Sequence, residues 1–438
     1  MTPTSDSAPR LGLWATTALV ATQAIGVGIF LTPAIMARSL RSPLAVFAVW
    51  ALMGAMAGSG GWCFGRLAAR YPQSGGAYVY LREVYGPAPA FLFGWMSFWV
   101  MDVGVMAALS AGAASYIAFL HPMGGAAQRL LAAALPAAIG LAFLLAPAAA
   151  LRGLSAANLL KVALVAGVPL WILLSGHWHW GRLWVAPRAV PWTYAGAATV
   201  GAFFAMAGWW EATKIAERVR DPERTLPRAL GLGITAIVAL YLLLTAGLLA
   251  LIPLRQLATG PAFLAQVGLV LAGPWGARLL AGLVVFCVAA ALGSLLLTTP
   301  AVYQAMHRDG LFPTALARPG RGGWPARITG VQLLMIAALT LTGTFTAIAA
   351  YPVFSAVLFI ALTAAGVLFL PGAPRRGRWI PVLFLALSLL VLAPVLVHFR
   401  HALAGLAITL LGWPVYRLRS GRWRADRVPA PPVEKVEA

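Results

Sequence analysis

Cysteine is nearly absent from this chain. Cys63 and Cys287 are its two cysteines, both inside apolar runs, which excludes a disulfide framework and a thiolate zinc cluster. Acid is also scarce, with 11 Asp and Glu against 32 Lys and Arg in 438 residues. Charge of either sign makes up 10% of the chain, apolar residues make up 61%, and the mean hydropathy is +0.85. A soluble domain carries about 25% charge, so that class is excluded. The sequence has no H-E-x-x-H, no paired-aspartate diphosphate site, no G-x-S-x-G and no Walker motif, which argues against a membrane-embedded enzyme and against ATP as the driving force. His177 and His179 form an H-x-H without a third ligand nearby in sequence, so no metal site is expected and no cofactor is implied.

Long hydrophobic runs fill the rest. Spans are expected over 12–37, 43–66, 89–120, 129–150, 153–175, 193–216, 228–252, 275–306, 325–343, 347–371, 379–397 and 401–416. The fold class is therefore an all-α polytopic membrane protein with about 12 transmembrane helices. The first run is too long for a signal peptide and lacks a small-residue cleavage pattern, so it reads as retained. With the N-terminus inside, 22 of the 32 basic residues fall on inner segments and 8 on outer ones, Lys161 and Lys214 lying within spans. The positive-inside rule then places both termini in the cytoplasm of a multi-pass protein of the cytoplasmic (inner) membrane. The net charge of +21 reads as topology and contact with anionic lipid, with no nucleic-acid partner. Residues 1–10 are a short polar tail, 11–416 the membrane domain and 417–438 a basic cytoplasmic tail. The segment Pro253–Trp275 reads as an outer loop carrying a short amphipathic helix. In span two, Gly54-x3-Gly58 and Gly61-x3-Gly65 suit close helix approach, internal packing being favoured over dimerisation.

Two of these runs are interrupted by glycine at matching places in the two halves. They are Ala24-Ile25-Gly26-Val27-Gly28-Ile29-Phe30 and Phe203-Phe204-Ala205-Met206-Ala207-Gly208-Trp209-Trp210-Glu211. A break in a membrane helix frees backbone groups that lipid cannot satisfy, and a matched pair is the sequence mark of a secondary transporter's substrate site. The first break frees N–H groups near Gly28 and Ile29, which suit a carboxylate. The second frees carbonyls near Phe204, Ala205 and Ala207, which suit an ammonium. On this reading Ile25, Gly26, Val27, Gly28, Ile29, Phe204, Ala205, Ala207, Gly208 and Trp209 form the substrate site. Gly26, Gly28 and Gly208 are then glycines because a Cβ would obstruct the substrate, unless they serve packing alone.

Ionisable residues inside spans mark function or a strut. Lys161 lies deep in span five, in Asn158-Leu159-Leu160-Lys161-Val162. It could carry a proton or act as a fixed strut. Asp102 lies in span three and is a candidate proton carrier, partner for a cationic group or structural hydrogen-bond acceptor. Glu211, Lys214 and Glu217, spaced i, i+3, i+6, are expected to form one charged ladder, as a gate or a strut.

Four motifs occur in order. They are Gly26-Val27-Gly28-Ile29-Phe30-Leu31-Thr32-Pro33, the loop Tyr71–Tyr80, Phe203–Gly208 followed by Ala216–Ala229, and Tyr303–Pro313. Together they resemble the amino acid–polyamine–organocation (APC) family of permeases, over about Leu11–Leu370. The resemblance implies a five-plus-five inverted repeat of the LeuT type, with first repeat about 11–175, second repeat about 193–371, broken helices one and six, and two extra spans over about 379–416. It implies a secondary amino acid transporter working by alternating access, similar to bacterial relatives of the L-type carriers. In sodium-independent members a Lys matching Lys161 occupies the sodium position, so this chain is expected to be sodium-independent, as a proton-coupled symporter or an antiporter. Phe204 resembles the aromatic that closes over substrate. Heteromeric relatives are linked to a heavy chain through a Cys after span three; here that loop is His121-Pro122-Met123-Gly124-Gly125, so no disulfide-linked partner is expected, only a monomer or weak homo-oligomer. Val27 replaces the family's Ser or Thr, and Trp210 its Glu. Val27, Val105, Leu109 and Phe204 suggest an apolar lining and a neutral, mainly hydrophobic amino acid. An exporter, a polyamine or cationic amino acid carrier, and a transporter-like sensor remain as alternatives.

Overall fold

The computed structural model describes residues 10–26, 28–184, 192–257, 262–318, 325–343, 345–370, 377–398 and 400–425. The architecture is helical throughout, as apolar runs demand where no water can satisfy an open backbone. The exception among the described residues is one isolated parallel bridge, between Leu11 and Val219.

Among the described residues, seven helices are each long and apolar enough to cross a membrane, including Pro43–Arg70, Pro87–Leu120, Pro147–Leu174 and Pro222–Leu251. Leu13–Ala24 and Gly28–Leu40 form a further span bent by 44° at the first glycine break. The sixth span is interrupted likewise. An α-helix over Trp192–Met206 gives way at Gly208 to a tighter 3₁₀ turn over Trp209–Arg218. Ala326–Thr342, Trp379–His398 and Arg400–Ala425 supply later helices. The two broken spans pair with each other, and both rest on span seven, Pro222–Leu251, which lies along span two. The small residues of span two serve that packing. A Cβ on Gly61 would collide with the Ile234 side chain, one on Gly65 would reach within 3.0 Å of Pro227, and one on Gly54 within 3.1 Å of Val238.

The helices differ from the expected boundaries by several residues, and two of the differences move basic residues into helix. Span five starts at Pro147, so Arg152 lies inside it rather than in the loop before it. Proline at the first helical position disfavours helix at the residue before it, and Ala146 breaks the chain there with φ −141° and ψ 64°. The last helix also continues to Ala425, so the basic tail begins as helix. The segment before span eight holds the short helix Leu254–Leu257, then a helical stretch from Phe263 that kinks at Ala272 and Gly273 before the span proper.

Candidate substrate site

The breaks in spans one and six meet. A Cβ on Gly208 would lie 2.7 Å from the Gln23 carbonyl oxygen, and one on Gly28 would lie 2.5 Å from Ala205 Cα. Gly208 also has φ +99°, a conformation few residues other than glycine adopt. Gly28 and Gly208 are therefore points where one broken span touches the backbone of the other. Of the two roles expected of these glycines, room for substrate and packing, the close approach of the two backbones gives each a packing role.

A cavity of about 60 Å³ lies where the breaks meet. Gly26, Gly28, Phe204, Ala207 and Gly208 line it, five of the ten expected residues. Ile25, Ile29 and Ala205 are buried in the surrounding packing and do not line it. Trp209 does not line it either. Its ring sits edge-on to Phe64, with centroids 5.2 Å apart, while Trp210 faces the cavity. Successive residues of a tight helix point about 100–120° apart, so only one of the two tryptophans can face inward. Val27 lies outside the described residues. The lining also includes Gln23, Met101, Val105, Leu109 and Leu295. Gln23, Ala24, Met101, Leu295 and Trp210 were missed as lining; of these Gln23 gave a sequence signal, as a polar residue inside span one just before the break.

The backbone at the first break is satisfied in an unusual way. In an unbroken helix the Thr22 carbonyl would accept from the Gly26 N–H. Here Gly26 donates to Ala24 at 2.9 Å instead. The Thr22 carbonyl accepts from Lys161 Nζ at 2.6 Å, and Lys161 is fully buried. Tyr241, on span seven, places its hydroxyl 2.9 Å from the Ala24 carbonyl and 3.0 Å from the Ala205 carbonyl. One hydroxyl thus lies within hydrogen-bond distance of both breaks, its single proton serving one of the two carbonyls at a time. Nothing in the Leu-rich sequence of span seven singled Tyr241 out. Replacing Tyr241 by Phe leaves the buried Ala205 carbonyl without this donor, at a cost of about 1–3 kcal/mol. The expected outcome is a lowered thermal midpoint in detergent and uptake several-fold below the parent; a variant equal to the parent in both would remove Tyr241 from the site.

Charge gathers at the inner wall of the cavity. A π-helical turn over Ser97–Met101 precedes Asp102 and displaces it from the regular helical register. Asp102 and Glu211 both line the cavity and are buried. Lys214 Nζ lies 2.8 Å from Glu211 Oε2 and 3.5 Å from Asp102 Oδ1. Tyr303 donates to Asp102 Oδ2, and Gln332 Nε2 approaches the Tyr303 hydroxyl at 3.4 Å. The expected three-residue ladder is split. Non-helical angles at Ile215 break the turn's phase, and Glu217 faces elsewhere. Its carboxylate accepts from the Ser74 N–H at 3.2 Å and pairs with Arg308 at 3.5 Å, while the Glu217 N–H donates to Ser74 Oγ at 3.1 Å.

That contact joins two of the sequence motifs. The loop Tyr71–Tyr80 turns at Gly75 and Gly76, where φ is +131° and +56°, and the Gly75 N–H donates to the Lys214 carbonyl at 2.9 Å. Arg82 and Tyr78 hold Asp309 at the end of span eight, at 2.6 and 2.7 Å. Burial, and then the Asp309 carboxylate, push the Tyr78 hydroxyl well above the usual phenol range, which keeps it a donor.

A vestibule of about 890 Å³ opens at this end of the molecule, with Arg10, Glu217 and Arg218 at its rim and Thr22, Asn158, Ser294 and Thr298 among its lining. It is separated from the cavity by a thin bridge. Gln23 Nε2 lies 3.4 Å from Thr298 Oγ1, and Thr298 Oγ1 lies 3.3 Å from Glu211 Oε2. No group of three His, Cys, Asp or Glu side chains able to hold a metal occurs among the described residues.

The family model of amino acid permeases matches residues 11–409. An uncharacterised transporter of Mycobacterium tuberculosis is 31% identical over 94% of this chain and 91% of its own length. The serine/threonine exchanger of Bacillus subtilis is 26% identical over 70% of each chain. The human b(0,+)-type amino acid transporter 1 is 28% identical over 55% of this chain and 51% of its own.

Proposed function

The chain belongs to the amino acid permease family of APC transporters, and on that premise we propose that it carries small, neutral, mainly hydrophobic amino acids by alternating access without sodium. The observation that carries this reading is the Lys161 ammonium seated on the Thr22 carbonyl at the first break. A cation bonded to that carbonyl supports the reading that the freed backbone needs no sodium ion to neutralise it. The N–H groups at the start of the Gly28–Leu40 helix offer the carboxylate its donors. Apolar Ala24, Met101, Val105, Leu109, Phe204 and Leu295 surround the side chain. A cavity of about 60 Å³ holds a few water molecules at roughly 10–15 Å³ each, so the small end of the neutral range fits without rearrangement. The name of the Bacillus relative, a serine/threonine exchanger, agrees with that size.

The positive-inside count puts the vestibule on the cytoplasmic side of the inner membrane. On that orientation the molecule is open inward as far as the Gln23–Thr298–Glu211 bridge. A second reading, a cationic amino acid or polyamine carrier, draws on Asp102 and Glu211 in the cavity wall. Uptake of twenty labelled amino acids and putrescine into proteoliposomes separates the two. The expected result is uptake of small neutral amino acids, equal in sodium and choline buffers. A strict sodium requirement would sink the assignment of Lys161, and uptake confined to arginine, lysine or putrescine would replace the first reading by the second.

A further inference from the structure

The buried charges beside the cavity do not balance. Asp102 and Glu211 are the buried carboxylates among the described residues, and Lys214 is the one ammonium that touches them. Lys161, the other buried cation, is bonded to the Thr22 carbonyl. The groups packed on the pair from other elements are uncharged: Tyr303 and Thr298 from span eight, Gln332 from span nine and Gln23 from span one. Two carboxylates against one ammonium leave an excess negative charge on buried groups that border a cavity with room for a few water molecules. An uncompensated buried charge costs several kcal/mol, so the site calls for one more cation.

A second observation points the same way. Gln23 lines the cavity and is 7% exposed, and its side-chain oxygen has no hydrogen-bond partner. An acceptor left open beside two carboxylates favours a cationic ligand. The remaining space is small, and Lys214 and Thr298 already hold Glu211 Oε2. The smallest cation is the one that fits.

We propose that the Asp102–Glu211–Lys214 cluster is a proton-binding site of the carrier, holding one proton on its carboxylate pair at neutral pH and exchanging it through the cavity that both carboxylates line. In the loading step a hydronium in the cavity gives its proton to a carboxylate oxygen; an O–H bond forms there and water is left. Nothing is oxidised or reduced. The cluster thus supplies the proton coupling left open in the function proposed above, on which its transport role rests, and leaves Lys161 as the fixed cation of the first break.

Infrared spectroscopy of the full-length protein in lipid tests the proton directly, without any amino acid. The carboxylic-acid C=O stretch reports protonated carboxyls, and exposed acids are ionised at neutral pH. The parent is expected to show one such band. Asp102→Asn and Glu211→Gln each leave one carboxylate facing Lys214, and each is expected to lose the band. Lys161→Met is expected to keep it. Absence of the band in the parent overturns the proposal; absence in sodium buffer with presence in choline overturns it too, because the ligand is then a metal cation. In dye-loaded proteoliposomes, amino acid uptake by the parent should move protons, and Asp102→Asn should move at least tenfold fewer protons per amino acid carried, whatever its uptake rate. Proton movement unchanged in Asp102→Asn and Glu211→Gln would also overturn the role. If no amino acid is carried by any form, the transport reading fails while the infrared result still stands or falls alone.

Discussion

Lys161→Ala is expected to lose at least about tenfold in amino acid uptake while reaching the membrane and eluting as a monodisperse protein. The ammonium occupies a position that the helix break creates. Because Gly26 turns back to Ala24, the Thr22 carbonyl is left without its helical donor, and Lys161 supplies the bond at 2.6 Å. Removing the donor leaves a buried carbonyl unpaired at about 1–3 kcal/mol, which corresponds to roughly tenfold or more in the population of the binding-competent state. The bundle itself is held largely by the packing of spans one, two, six and seven on one another, to which Lys161 adds a single bond from span five. Lys161→Met, which keeps the length of the side chain and removes its charge, should fail in the same way; that separates the bond from the packing. Uptake of labelled neutral amino acids into proteoliposomes checks both, with binding measured by thermal shift. Full activity and unchanged pH dependence in both variants would show Lys161 to be incidental.

The parts of this site that were legible in the sequence are those that violate membrane chemistry. A glycine interruption in an apolar run and a lysine at mid-span both carry a penalty in lipid, so each stands out against leucine and alanine. The helix bends at the first interruption and changes type at the second, and Lys161 reaches the first. What was not legible depends on which face a residue turns. Trp209 and Trp210 are equivalent as letters, yet one packs on Phe64 and the other lines the cavity. The i, i+3, i+6 spacing of Glu211, Lys214 and Glu217 implied one ladder. It assumed a regular helix, and the irregular backbone at Ile215 sends Glu217 to the loop around Ser74. Tyr241 could not be found at all. A tyrosine in an apolar span is ordinary, and its importance comes from two carbonyls far apart in sequence.

The same limit applies to the glycines. Their location was legible, but their partner was not. From sequence, Gly28 and Gly208 read as room for substrate; in the structure each is a contact between the two broken spans, beside the cavity that contact shapes.

This gives the second large effect. Gly208→Ala is expected to abolish uptake and to lower the thermal midpoint in detergent, because two costs coincide. The backbone at Gly208 has φ +99°, where a Cβ costs about 1–3 kcal/mol of strain. The new Cβ would also come within 2.7 Å of the Gln23 carbonyl oxygen and 3.0 Å of its carbon. Those are backbone atoms at the end of the first half of span one and cannot swing aside as a side-chain tip could. Overpacking of this kind adds about 1–3 kcal/mol more. Gly86 supplies the control. It has φ +92° and ψ −176°, a region more nearly confined to glycine than that of Gly208, and a Cβ added there would meet nothing within 4 Å, so Gly86→Ala carries at least as much strain without the collision. The expected order is parent, then Gly86→Ala with a modest loss of stability and retained uptake, then Gly208→Ala with uptake lost. Equal impairment of the two variants would assign the effect to backbone strain alone. Parent-like uptake in Gly208→Ala would show that spans one and six need not touch for the carrier to work, and the site built on their contact would fall with it.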